Sequence, residues 1–305
     1  MRWLVFLILV ALLICGCVQQ GPKDEESLEI YIKGSDTLVQ LVSNLAEAYM
    51  EKNPDTSIVV SGGGSGTGIK ALINGEIDVA DASREMKDSE IEQIKQKYGT
   101  EPLRLIIARD MLAVVVNPSN PVDKLTVEQV AKIFAGEITN WKEVGGNDAP
   151  ITLYGRQSTS GTYEFFLEHV VRPYTGKGYS GTMRNLAGNI QIRDAVASDP
   201  NGIGYIGVGY LSDAIKVVKV SMDGKNYYSP LDEKAVEEGK YPISRPLQQY
   251  TLPQYFQGKK GEVLKDFFRF EVSEEGQQIV KESGFYPILK TDREWNQQNF
   301  WAKIE

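Results

Sequence analysis

Three times along the chain a short apolar strand runs into a glycine- and serine-rich turn and then into a helix, and this repeated grammar limits the fold more than any other feature. In the first copy Leu28-Glu29-Ile30-Tyr31-Ile32 alternates apolar and polar side chains, as a strand with one wet face does. It ends at Gly34-Ser35-Asp36-Thr37, after which Leu38, Leu41, Val42, Leu45 and Tyr49 fall at helical spacing to about Glu51, before Asn53-Pro54. In the second copy a β-rich run over 57–60 leads into the loop 62–68 (GGGSGTG), and 69–73 reads as a short helix closed by Asn74-Gly75. The third has a strand over 151–154, a loop over 155–161 and a helix from Thr162. Further strands are expected at 77–80, 103–108, 112–116 and 204–208. Alternation of this kind implies an α/β fold with mainly parallel sheets, in which the loops at the carboxyl ends of strands build the site. No period of 20 to 50 residues repeats, which argues against a solenoid.

The 305 residues are 42% hydrophobic and 24% charged, enough for a large core and for one long or two medium domains. Met1-Arg2-Trp3 and the apolar run 4–14 form a basic head and a hydrophobic stretch too short for a spanning helix of about 20 residues, and read as an export signal over 1–16. The run ends Cys15-Gly16-Cys17, a pattern that resembles a lipobox, with Cys17 as the lipidated thiol. An ordinary signal with an incidental cysteine is the alternative. The polar stretch 17–27 suits a tether between a lipid anchor and a folded body, and no cysteine follows Cys17, so a mature chain beginning there has neither an internal disulfide nor a cysteine-based metal site.

The chain's formal charge is −8, and loss of Arg2 with the signal makes it −9, a balance that attracts neither nucleic acid nor acidic membranes. A small anion can still be held where donors are concentrated. All three turns offer that chemistry: helix starts carry backbone N–H groups without partners and a partial positive charge, glycines admit a close ligand, and hydroxyls add donors at Ser35 and Thr37, at Ser65 and Thr67, and at Ser160 and Thr162, beside Gly161. Arg156, four residues before Ser160, supplies a planar fork of N–H donors and the countercharge. One such turn alone is more often a cap or a tight turn; three together, one with an arginine, point to a tetrahedral oxyanion.

Other chemistries fail on spacing. The second loop is neither a dinucleotide fingerprint nor a Walker loop. The single histidine, His169, lies off the apolar stripe of Tyr163, Phe166, Leu167, Val170 and Val171 and is expected to face solvent, which leaves a histidine-based metallophosphatase without ligands. A Ser-Lys hydrolase stays open. No metal or cofactor is implied. Trp141, Trp295 and Trp301 are expected to pack, and Arg109 and Asp110 to be structural.

Six stretches together, KGSDT (33–37), GGGSGTGIK (62–70), DVADASR (78–84), IFAGEITNW (133–141), RQSTSGT (156–162) and GIGYIG (202–207), resemble the phosphate-binding proteins of ABC phosphate transporters, the PstS family, over almost all of 28–289. The resemblance implies a type II periplasmic-binding-protein fold, two α/β lobes joined by a two-strand hinge. Lobe 1 would comprise 28–112 plus 246–305 and lobe 2 113–245, with crossings near 111–117 and after the polar stretch 222–242. It implies a monomeric, non-enzymatic receptor outside the cytoplasm, anchored to the cell membrane by lipid, that captures inorganic phosphate and delivers it to the transmembrane subunits of an ABC permease. Receptors for sulfate, molybdate or tungstate, or a phosphoesterase, are the alternatives. Carried over by motif, Ser35, Asp36 and Thr37 match the first phosphate loop, Ser65 the second, and Arg156, Ser160, Gly161 and Thr162 the third. Ser83 falls where many members place an aspartate that accepts the proton of HPO₄²⁻; Asp36 is the candidate replacement, and Arg84 could add a second positive donor or brace its loop by a salt bridge.

Overall fold

The structure is a computed structural model that describes residues 28–304; the expected export signal, the tether and Cys17 lie outside the described residues. The chain begins with β1 (Leu28–Gly34), α1 (Val39–Lys52), β2 (Thr56–Ser61), α2 (Ser65–Asn74), β3 (Val79–Ala82), α3 (Asp88–Tyr98) and β4 (Leu103–Val116). Next come β5 (Lys124–Thr126), α4 (Val127–Phe134), β6 (Thr152–Arg156), α5 (Gly161–Phe166), α6 (Arg172–Thr175), β7 (Arg184–Leu186), α7 (Asn189–Ser198), β8 (Gly202–Gly207), β9 (Lys216–Ser221) and α8 (Glu233–Glu237). The chain closes with β10 (Ser244–Thr251), α9 (Gly258–Glu271), α10 (Glu274–Glu282) and α11 (Lys290–Asn299).

The strands run in the order β2-β1-β3-β10-β4-β8-β6-β7, with β9 beside β4 and β5 beside β9. Within each half the strand-turn-helix units pair in parallel, β1 with β2 and β3, and β6 with β7 and β8. The pairings made by the two strands that link the halves are antiparallel: β10 with β3 and β4, and β4 with β8 and β9. The expectation of mainly parallel sheets therefore holds for the strand-turn-helix units and fails where β4 and β10 join each sheet. The chain leaves one lobe along β4 and returns along β10, so these two strands run in opposite directions.

Strands expected separately at 103–108 and 112–116 are one strand of 14 residues. Arg109 and Asp110 read as a break in the apolar pattern, but both are held by ion pairs, Arg109 with Asp292 through two hydrogen bonds of 2.7 and 2.8 Å and Asp110 with Arg245. β4 pairs with β10 up to Met111 and with β8 from Leu112. The apolar cores divide at the same place. One core takes its buried residues from Met111 to Ile243, and the other two take theirs from before Met111 and after Ile243. Two lobes thus meet along β4 and β10. Trp141 and Trp301 pack in these cores, and Arg104 stacks on Trp295 at 4.7 Å, so the three tryptophans among the described residues are packing residues.

Candidate functional site

The three turns converge where the lobes meet. Gly34 ends β1 at φ +152°, and a Cβ there would stand 2.1 Å from the carbonyl oxygen of Asp81, to which the Ser35 N–H donates at 2.9 Å. Only glycine lets the first turn sit so close to β3. In the second turn α2 begins at Ser65, so Ser65-Gly66-Thr67-Gly68 is a first helical turn and not the loop expected. Gly68 allows this, because its Cα packs where a side chain would collide with the Lys33 carbonyl. The third turn places Ser160 as the cap of α5, its Oγ accepting the N–H groups of Thr162 and Tyr163.

Ser35, Ser65 and Ser83 form one buried hydroxyl cluster. Ser35 Oγ donates to Ser83 Oγ at 2.9 Å, the Ser83 N–H donates to Ser65 Oγ at 3.0 Å, and Ser65 and Ser83 Oγ stand 3.3 Å apart. Lobe 2 reaches this cluster through Gly161, where a Cβ would lie 2.3 Å from Ser65 Oγ and 2.7 Å from Ser83 Oγ. Thr37 of lobe 1 and Thr162 of lobe 2 bring their hydroxyls to 3.1 Å.

Arg156, 1% exposed, extends from the end of β6. Its Nη2 donates to Asp36 Oδ2 across the lobes at 2.5 Å, while its Nε and Nη1 have no protein partner although both are buried. Buried guanidinium donors without acceptors are costly, so these two N–H groups call for an acceptor that no described residue supplies. Burial draws the guanidinium below its ordinary value and Asp36 pulls it back, and an arginine stays charged in either case. Asp36 accepts the Gly63 N–H at Oδ1, at 2.8 Å, and Arg156 at Oδ2. Its visible work is to aim Arg156 and brace the second turn.

Arg84 is spent on carboxylates. Nη1 and Nη2 each donate to Glu90 at 2.7 Å, and Nε stands 2.7 Å from Glu164 Oε2. Of the two roles open to it, the structure assigns the bracing one, and the expectation of a second positive donor is corrected: three nitrogens facing two carboxylates leave no fork for another anion. His169 is exposed and stacks on Phe165 at 4.3 Å, as its place off the apolar stripe predicts.

Two residues escaped the sequence reading. Tyr210, on the turn after β8, donates to the carbonyl oxygens of Asp36 and Thr37 at 2.9 and 3.1 Å, clamping the first turn from the other lobe. Arg245, on β10, is buried against Asp110, Ser83 and Thr162. Its one sequence signal was a charge inside an apolar strand pattern, matched by Asp110 in β4. The expectation that Asp110 is structural holds, with the addition that its partner touches the site.

Two lobes, a cleft between them and donors from both sides define a periplasmic-binding-protein receptor, and the model of the PBP superfamily domain matches residues 20–275. The chain is 33% identical over 269 residues to the phosphate-binding protein PstS of Pseudomonas aeruginosa, covering 84% of this chain and 81% of that protein. It is 31% identical over 302 residues to the PstS of Staphylococcus saprophyticus, covering 95% and 92%. It superposes with a TM-score of 0.75 on a Clostridium perfringens structure described as a phosphate ABC transporter substrate-binding protein with bound phosphate, at 33% identity over 86% of this chain and 100% of that one. The chain belongs to the PstS family of phosphate-binding proteins.

Proposed function

We propose that the protein is the extracytoplasmic receptor of an ABC importer, capturing inorganic phosphate between its lobes and delivering it to the membrane permease. The observation that carries this reading is the Arg156 fork, buried and facing no protein acceptor with Nε and Nη1, amid hydroxyls contributed by both lobes. The ligand-contacting set is Ser35, Thr37, Ser65, Ser83, Arg156, Ser160, Gly161 and Thr162, with Asp36 holding Arg156. Hydrogen bonds to a charged group contribute about 1.5–3 kcal/mol each, so several of them offset the loss of water from the ion. In place of an acceptor carboxylate at Ser83, the serine cluster receives the proton of HPO₄²⁻, because a hydroxyl both donates and accepts. The division of the cores supports lobes of 28–112 plus 246–305 and 113–245. Anchoring through Cys17 and a monomeric state complete the proposal.

The protein acts without catalysis: Ser35, Ser65 and Ser83 bond to one another and not to a base, which disfavours a Ser-Lys esterase. The test is calorimetric titration of phosphate into the phosphate-stripped protein with and without excess sulfate. Tight one-to-one binding untouched by sulfate is expected. Displacement by sulfate would make it a general oxyanion receptor, and no binding of either would overturn the receptor reading and send attention to hydrolysis of a chromogenic phosphate ester.

A further inference from the structure

Arg245 stands on the strand by which the chain returns between the lobes, and it is 1% exposed. Asp110 Oδ2 accepts its Nε at 3.2 Å and its Nη2 at 2.8 Å, the Ser83 carbonyl oxygen accepts Nη1 at 2.9 Å, and Thr162 Oγ1 accepts Nη2 at 2.8 Å, with Thr37 Oγ1 3.5 Å from the same nitrogen. A guanidinium only donates. Every oxygen it meets is therefore an acceptor toward it, and the Thr162 proton points elsewhere. Thr37 and Thr162 hold two hydroxyl protons between them. One closes the 3.1 Å bond joining the pair, whichever residue donates it. The other is left over, and it cannot turn back to Arg245.

We propose that Arg245 is a positioning residue that makes the Thr37–Thr162 pair a pure donor to the bound anion, so that this end of the site meets a deprotonated phosphate oxygen. The oxygen that bears the proton is then left to the serine cluster, which can accept. This rests on the phosphate reading above. Around Arg245 the charged and titratable groups are Asp110 on β4, Arg156 on β6 and the Tyr205 phenol on β8; Tyr210 and Tyr241 face Asp110, and Arg84, Glu85, Lys87, Glu164, Glu168 and His169 line the cavity that Arg245 borders. Burial pushes Tyr205 and Tyr210 up to about 12 and Tyr241 higher still. Asp110 is raised by burial and held down by Arg245. Near neutral pH the ligand changes charge, and so does Asp81 beneath the first turn, which burial pushes up to about 7 and which is the same in every variant compared.

The experiment titrates phosphate calorimetrically into the full chain at about pH 5 and about pH 8, either side of a phosphate group's second ionisation. It uses the wild type, Arg245→Lys, and the double variant Arg245→Gln with Asp110→Asn, which removes the buried ion pair as a unit. A glutamine carbonyl can accept the left-over proton and turn it away from the ligand, whereas lysine is a donor only. The double variant is expected to lose about tenfold in affinity at the higher pH, and clearly less at the lower, with Arg245→Lys keeping the wild-type pattern. A folded double variant with unchanged affinity, or with the same loss at both pH values, would overturn the proposal and leave Arg245 a brace. If the double variant lacks the wild-type circular dichroism, Thr162→Val, which leaves the ion pair in place, decides: a loss concentrated at the higher pH supports the proposal, and an equal loss or none overturns it. Failure of the wild type to bind phosphate at either pH would instead overturn the phosphate reading.

Discussion

Gly161 has no room for a side chain, because a Cβ would press within 3 Å of the Ser65 and Ser83 hydroxyls of the facing lobe. Gly161→Ala is therefore expected to keep the turns from meeting and to weaken phosphate binding by about tenfold or more, a displacement of one methyl being enough to break several charge-assisted bonds. Titration calorimetry reads the loss, and unchanged unfolding midpoints would show that the lobes themselves are intact. Just beneath the first turn, Asp81 and Glu271 are fully buried and share the Nε2 of Gln249 at 3.0 and 3.1 Å. Burial pushes Asp81 up to about 7 and Glu271 well above the usual carboxyl range. The folded protein thus keeps a proton that an ordinary Asp, near 3.9 in the unfolded chain, has already lost. With the native state binding more protons, stability falls as pH rises from about 4 to about 7. Asp81→Asn is expected to reduce that slope, leaving the Glu271 part, in thermal unfolding midpoints followed across this range.

At the scale of elements, β4 is the member on which the rest depends, and its backbone is completed by side chains of distant helices. Asn296 on α11 accepts the Ile106 N–H at 2.9 Å and donates to the Ile106 carbonyl oxygen at 2.8 Å, as a neighbouring strand would. Gln277 on α10 donates to the Ile107 carbonyl oxygen at 2.9 Å and accepts the Ile288 N–H. Replacing Asn296 by Ala leaves two buried backbone groups unpaired, at about 1–3 kcal/mol each, so a loss of about 2–6 kcal/mol is expected in denaturant unfolding. Local pattern shows neither amide as special, since both lie on helices whose spacing marks only which face is apolar.

For the whole molecule, closure is written in contacts that cross from lobe to lobe: Arg156 with Asp36, Tyr210 with the first turn, the Gly66 N–H on the Thr159 carbonyl, and Glu164 between Arg84 and Lys87. The Glu164 carboxylate pairs with no residue of the proposed ligand set, yet its pairs with Arg84 and Lys87 exist only when the lobes meet. A bond present in one of two states shifts the balance between them by its own free energy. Glu164→Gln is expected to speed phosphate release by about fivefold, seen in stopped-flow fluorescence, with little change in unfolding midpoint; an unaltered release rate would mean that closure draws nothing from this pair.

The amino-acid sequence by itself determined the strand-turn-helix units and the exposed position of His169, and it singled out Ser35, Thr37, Ser65, Arg156, Ser160 and Thr162 as candidates for one chemistry. These follow from spacing along the chain, where periodicity and turn composition act locally. The single strand β4, the antiparallel joins, the commitment of Arg84 to Glu90 and Glu164, and the hub at Arg245 were decided by tertiary structure alone. Each depends on which groups far apart in sequence are brought within about 3 Å, and a charge in an apolar run is a break or a buried partner according to what stands opposite it.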